Sequence, residues 1–134
     1  MKRIVLAAAV ALASLAHCGG ANGDECKDAV GALERYGNKV YERGIKAIND
    51  APKLQGSGLE YYQAQCALKK GFFDEARESL KLNKIRSTAC NYTKDKVDYW
   101  NKVFEEEVTQ NQKEMDENCS QAEEIKKREA GKKR

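Results

Sequence analysis

From Cys26 onward, apolar residues recur at intervals that favour a helix: Val30, Leu33, Val40, Ile45 and Ile48, with Tyr36 and Tyr41 beside them. That spacing puts them on one side of a 3.6-residue repeat sustained for about six turns. Pro52 disfavours helical backbone at Ala51, so this first helix is expected to end near Asp50. Gly37 and Gly44 lie close to the same stripe. A glycine inside a helix costs about 1 kcal/mol, so a closely approaching neighbour is the expected reason for both.

The stretch KLQGSG reads as a loop, and SGLE as a helix start in which Ser57 caps the backbone and Glu60 reaches back. Leu59, Tyr62, Cys66 and Ala67, with Leu68 at the edge, give an apolar side, and Gly71 is expected to break the helix. Phe73, Ala76 and Leu80 then carry a short third helix, with Asp74 and Glu75 in its first turn where negative charge suits the free amides. NKIRSTACNY reads as a connection and Thr93 as the cap of a long last helix. Its stripe is Val97, Trp100, Phe104 and Val108, thinning through Met115, Cys119, Ala122 and Ile125. The expected fold is all-α, about four helices in an antiparallel bundle or a stack of hairpins.

The front of the chain changes where this domain is expected to live. Lys2 and Arg3 precede the apolar run IVLAAAVALASLA, which is too short for the roughly 20 residues of a spanning helix and fits a signal peptide over residues 1–23. Leu15, Ala16, His17 and Cys18 resemble a lipobox that would acylate Cys18, although His17 stands where a small residue is usual. Ala21 and Gly23 offer a second cleavage site, and Ser14 and Ala16 a third. Of the 24 Lys plus Arg and 21 Asp plus Glu, processing removes Lys2 and Arg3, leaving 22 against 21. A chain so balanced has no electrostatic reason to bind nucleic acid as a whole. One domain is expected over residues 24–122, followed by a polar, basic tail over 123–134 whose contact with anionic lipid is expected to be weak.

Cys26, Cys66, Cys90 and Cys119 form an even set in an exported chain, so two disulfides are expected. No two lie within the few residues typical of a zinc knuckle. An antiparallel pairing of the first and last helices would bring Cys26 to Cys119 and leave Cys66 for Cys90. Cleavage after Ala16 would strand Cys18 as a fifth thiol, so Cys18 is expected to be a lipid anchor or to be discarded. The sole histidine, His17, lies at the signal boundary, which leaves the mature domain without an imidazole and makes an enzyme an unfavoured reading. No cofactor or metal is expected.

GLEYYQAQCALKKGFFDEARESL, Gly58 to Leu80, carries small Ala64 and Ala76, Gly71, Phe73 and Leu80 in an order that resembles a tetratricopeptide-repeat helix hairpin. No second copy follows at the ~34-residue period of that family, so one hairpin within a stapled domain is what the resemblance implies. It also implies a protein- or peptide-binding groove with Tyr61, Gln65, Leu68 and Lys69 on the concave side. The functional expectation is a non-catalytic exported or cell-envelope interaction module, periplasmic or lipid-anchored. The alternative is a secreted carrier of a small apolar ligand held between the first and last helices near Trp100.

Overall fold

The computed structural model describes residues 23–50 and 58–132. They form three helices: α1, Gly23–Asp50; α2, Leu59–Ala89; and α3, Lys94–Lys132. The signal segment with Cys18, the loop with Ser57, and the last two residues lie outside the described residues. The chain is all-α as expected, with three helices rather than about four. α2 runs unbroken through Gly71, where a reversal was expected, and through Asn83 to Ala89, where a connection was expected. α1 is described as far as Asp50, and Ala51 and Pro52, where the helix was expected to end, lie outside the described residues.

The turn between α2 and α3 has a clear local cause. Asn91 adopts a left-handed backbone, φ 49°, which asparagine tolerates better than most residues. The amide of Asn91 then donates to the Thr88 carbonyl at 3.1 Å and that of Tyr92 to the Ser87 carbonyl at 3.0 Å. These two bonds satisfy carbonyls that the end of a helix leaves free and make a Schellman motif. Thr93 precedes the first residue of α3, and its carbonyl accepts from the Val97 amide at 2.9 Å.

The tight turn makes α2 and α3 an antiparallel hairpin. Asn83 meets Asn101, Lys69 meets Glu114 and Cys66 bonds Cys119, a register that holds along the whole pair. α1 packs on α2 over a smaller interface, also antiparallel: Cys26 bonds Cys90, and Arg43 meets Glu75. All four expected cysteines are thus in disulfides, with Cα–Cα distances of 4.5 and 4.6 Å.

Their pairing corrects the expected one. Cys26 joins Cys90 instead of Cys119, and Cys66 joins Cys119 instead of Cys90. The reason is parity. In an up-down arrangement of four helices the first and last are antiparallel, whereas with three they are parallel. Cys26 at the start of α1 and Cys119 late in α3 therefore lie toward opposite ends of the bundle. Each must pair with a cysteine of α2 or of the turn that follows it.

The apolar core among the described residues is small: Cys26, Ala29, Val30, Leu33, Ala76, Trp100 and Ala122. Of the expected α1 stripe, Val30 and Leu33 are buried and Tyr36 and Val40 half-buried, but Tyr41 and Ile45 are 47 % and 37 % exposed. Gly44 is buried, whereas a side chain at Gly37 would meet nothing within 4 Å, so the close approach expected there does not occur. So small a core makes the two covalent staples an important part of the stability.

Candidate functional site

Advancing from the Cys26–Cys90 contact to Arg43–Glu75, α1 brings its last residue, Asp50, about level with Leu68 of α2 at the helical rise of ~1.5 Å per residue. Among the described residues there is therefore a three-helix end around Cys26–Cys90 and a two-helix end around Cys66–Cys119.

At the three-helix end a polar cluster is buried beneath α1. Asn83 is 0 % exposed and Arg86 1 %. Arg86 Nη2 donates to Asn83 Oδ1 at 2.7 Å, and Asn83 Nδ2 donates to Asn101 Oδ1 at 3.0 Å. The guanidinium lies 4.9 Å from the Trp100 ring centre and 5.6 Å from that of Tyr92, two aromatic faces that attract a cation. Burial pulls the Arg86 pKa below its ordinary value, with the Tyr92 hydroxyl opposing. Nε of Arg86 and Oγ of Ser87 are buried without a hydrogen-bond partner. Composition hid this cluster, because a run containing Asn83, Arg86 and Ser87 looks like a surface connection.

Trp100, the residue on which the carrier reading rests, is 8 % exposed. Arg86 covers its ring, and Tyr99 and Phe104 have ring centres 5.2 and 6.4 Å away. The indole is thus packed against the chain's own side chains.

Between α1 and α2, Arg43 Nε donates to Glu75 Oε1 at 2.7 Å. Glu75 is buried and its Oε2 has no partner, while Arg43 is largely in solvent. Burial pushes the Glu75 pKa up and Arg43 opposes it; burial also raises the pKa of Tyr36 nearby, with the Glu75 charge adding to the effect. Burial likewise raises the Glu107 pKa on α3. Among the described residues, no group of three or more His, Cys, Asp or Glu is arranged to hold a metal.

The expected partner-binding residues Tyr61, Gln65, Leu68 and Lys69 all lie on α2 and are half-buried. Lys69 is already engaged: it pairs with Glu114 of α3 and sits 5.7 Å from the Phe72 ring centre. Tyr61 packs edge-on against Tyr62 at 5.2 Å, beyond the level that α1 reaches. Beside them an open concavity of about 670 Å³ is lined by Tyr62, Asp116, Glu117, Asn118, Ser120 and Gln121. A second, of about 490 Å³, continues along α3 past Cys119 to Glu123, Glu124 and Lys127. Sequence reasoning found the tyrosines but missed the acidic α3 face opposite them, which becomes visible only once Cys66–Cys119 fixes the register.

The two disulfides fit an oxidising, exported setting, and none of the described helices is long and apolar enough to cross a membrane. Comparison with known protein families, curated proteins and solved structures returns no match.

Proposed function

We propose that the chain is a non-catalytic, exported interaction module of the cell envelope, and that its two-helix end is the docking surface. The observation that carries this reading is the pairing of half-exposed Tyr61 and Tyr62 with the open, acidic concavity of α3, on a stretch that Cys66–Cys119 holds rigid. A surface fixed before binding loses little conformational entropy when it is covered. Aromatic rings beside carboxylates suit a helix or extended segment that carries Lys or Arg together with an apolar residue.

Lys69 belongs to this surface as a positioning residue, because its ammonium is held by Glu114. The test is capture and cross-linking from envelope extracts with the wild-type chain and with Tyr61→Ala plus Gln65→Ala. The reading expects the cross-linked species to be lost in the double variant. Undiminished recovery of every species would sink it.

A further inference from the structure

The two disulfides are not equally open to chemistry. Cys26 is 3 % exposed, so the bridge at the three-helix end is half-buried only on its Cys90 side. At the two-helix end Cys66 and Cys119 are both half-buried, and Cys119 lines the open concavity of about 490 Å³ with Asp116, Ser120, Glu123, Glu124 and Lys127. Thiol–disulfide exchange needs a thiolate to reach one sulfur, so access decides which bridge exchanges first.

The lining also decides which thiol arrives. It holds three carboxylates and one ammonium. Arg128 offsets Glu124 at 3.2 Å, which leaves Asp116 and Glu123 against Lys127, a negative balance. Asp116 stands three residues before Cys119 and Glu123 four after it, spacings that share one side of a helix. A thiolate that carries a second negative charge is repelled by this lining, whereas one that carries an ammonium group is not.

We infer that Cys66–Cys119 is a thiol-sensitive switch, opened at Cys119 by a thiol of neutral or cationic character that enters this concavity. The incoming thiolate bonds to Cys119 Sγ as the Cys66–Cys119 bond breaks, and Cys66 leaves as a thiolate that takes a proton from water. A second thiol of the reductant then attacks the mixed disulfide and frees Cys119. Two electrons thus pass to the cysteines, and the reductant leaves as its own disulfide. Opening unfastens the start of α2 from the end of α3, because little packing replaces the bond there. The consequence for partners rests on the two-helix end being the docking surface; the opening itself does not.

The test takes the oxidised chain with both disulfides formed and any free thiol blocked. It is treated with cysteamine, an amino thiol, or with 2-mercaptoethanesulfonate, an anionic one, and quenched at intervals with N-ethylmaleimide for peptide mapping. Cys66 and Cys119 should open at least about fivefold faster than Cys26 and Cys90, with the first thiol adduct on Cys119 and the maleimide on Cys66. Asp116→Asn plus Glu123→Gln should speed the anionic thiol about three- to tenfold at about 20 mM salt and leave cysteamine little changed, a contrast that shrinks at about 500 mM.

Opening of both bridges in step would overturn the inference, and so would a first adduct on Cys66. A charge variant that speeds both thiols equally, or neither, would remove the selectivity of the concavity. After selective reduction, loss of the cross-linked envelope species with Trp100 fluorescence unchanged is the expected signature of the switch. If the bridge opens selectively at Cys119 but Tyr61→Ala plus Gln65→Ala leaves every cross-linked species in place, the docking surface falls and the thiol-sensitive bond stands.

Discussion

The two ends of α2 are held by the same kind of bond for different reasons. At the Cys26–Cys90 end a disulfide joins helices that also bury Val30, Leu33, Arg86, Asn83 and Trp100. Around Cys66–Cys119, Ala122 is the nearest buried side chain among the described residues, and the cross-link takes the place of a core. One staple therefore closes a packed junction, while the other creates rigidity where packing would not supply it. Rigidity at the second end preserves exposed chemistry, which a hydrophobic core would have consumed.

Removing the staples separates these roles and should give the largest effects. The bridges span 64 and 53 residues, so loop closure assigns each about 4 kcal/mol. Similar losses should have different local consequences. Cys26→Ala plus Cys90→Ala should release α1, because its interface with α2 is small, and should shift Trp100 fluorescence toward that of a solvated indole. Cys66→Ala plus Cys119→Ala should leave Trp100 buried and instead remove amide-exchange protection from the first turns of α2 and the last turns of α3. An unchanged exchange pattern at the two-helix end would mean that packing, not the bond, holds it.

Next in size is the contrast between the two cations that bridge α2 and α3. Arg86→Ala should cost about 2 to 4 kcal/mol, since it opens a cavity between Tyr92 and Trp100 and leaves Asn83 Oδ1 without its donor. Arg86→Met keeps much of the volume and relieves a buried charge, so it should cost clearly less. Lys69→Met, at the other end, removes a partly solvated ion pair and should cost less than about 1 kcal/mol. Equal costs for Arg86→Ala and Lys69→Met in chemical denaturation would show that the three-helix end is no better packed than the two-helix end.

The sequence makes the helical class, the even cysteine set and the burial of Val30, Leu33 and Trp100 legible, because each follows from local periodicity or local chemistry. The errors share one origin. Local signals make Gly71 a break and the polar run around Asn83 and Arg86 a connection, yet both lie inside α2. Adding a helix changed the parity of the bundle, which reversed the direction of the last helix and exchanged the disulfide partners. A buried arginine stacked on two rings leaves no periodic signal, since its environment comes from Tyr92 and Trp100 across the turn. The acidic face of α3 was legible as charge, but its position opposite Tyr62 depends on the hairpin register.

Glu75 and Glu107 lie midway along the hairpin, and they tune stability with pH. Both have pKa values raised by burial above the ordinary 4.5, so over the window from there up to their folded values the native state holds more protons than the unfolded one. Their contribution is fully present below the unfolded value and is lost as pH rises through the folded one. Glu75→Gln plus Glu107→Gln should therefore flatten the decline in stability above pH 4.5. Glu75→Gln alone should remove part of it, with little other penalty, because Arg43 is already largely solvated. A decline unchanged in the double variant would place its origin elsewhere.

The smallest effect falls on the residue that decided the topology. A side chain at Gly71 would meet nothing within 4 Å, and the residue sits inside a continuous helix. Gly71→Ala should then stabilise the protein by about 0.5 to 1 kcal/mol, because alanine loses less backbone entropy on entering a helix. If Gly71 instead made a tight reversal with positive φ, the same change would strain the backbone and destabilise. The sign of the change in chemical denaturation therefore tests the straight α2. With it stands the argument that puts Cys26 beside Cys90 and leaves the far end of α2 to Cys66 and Cys119.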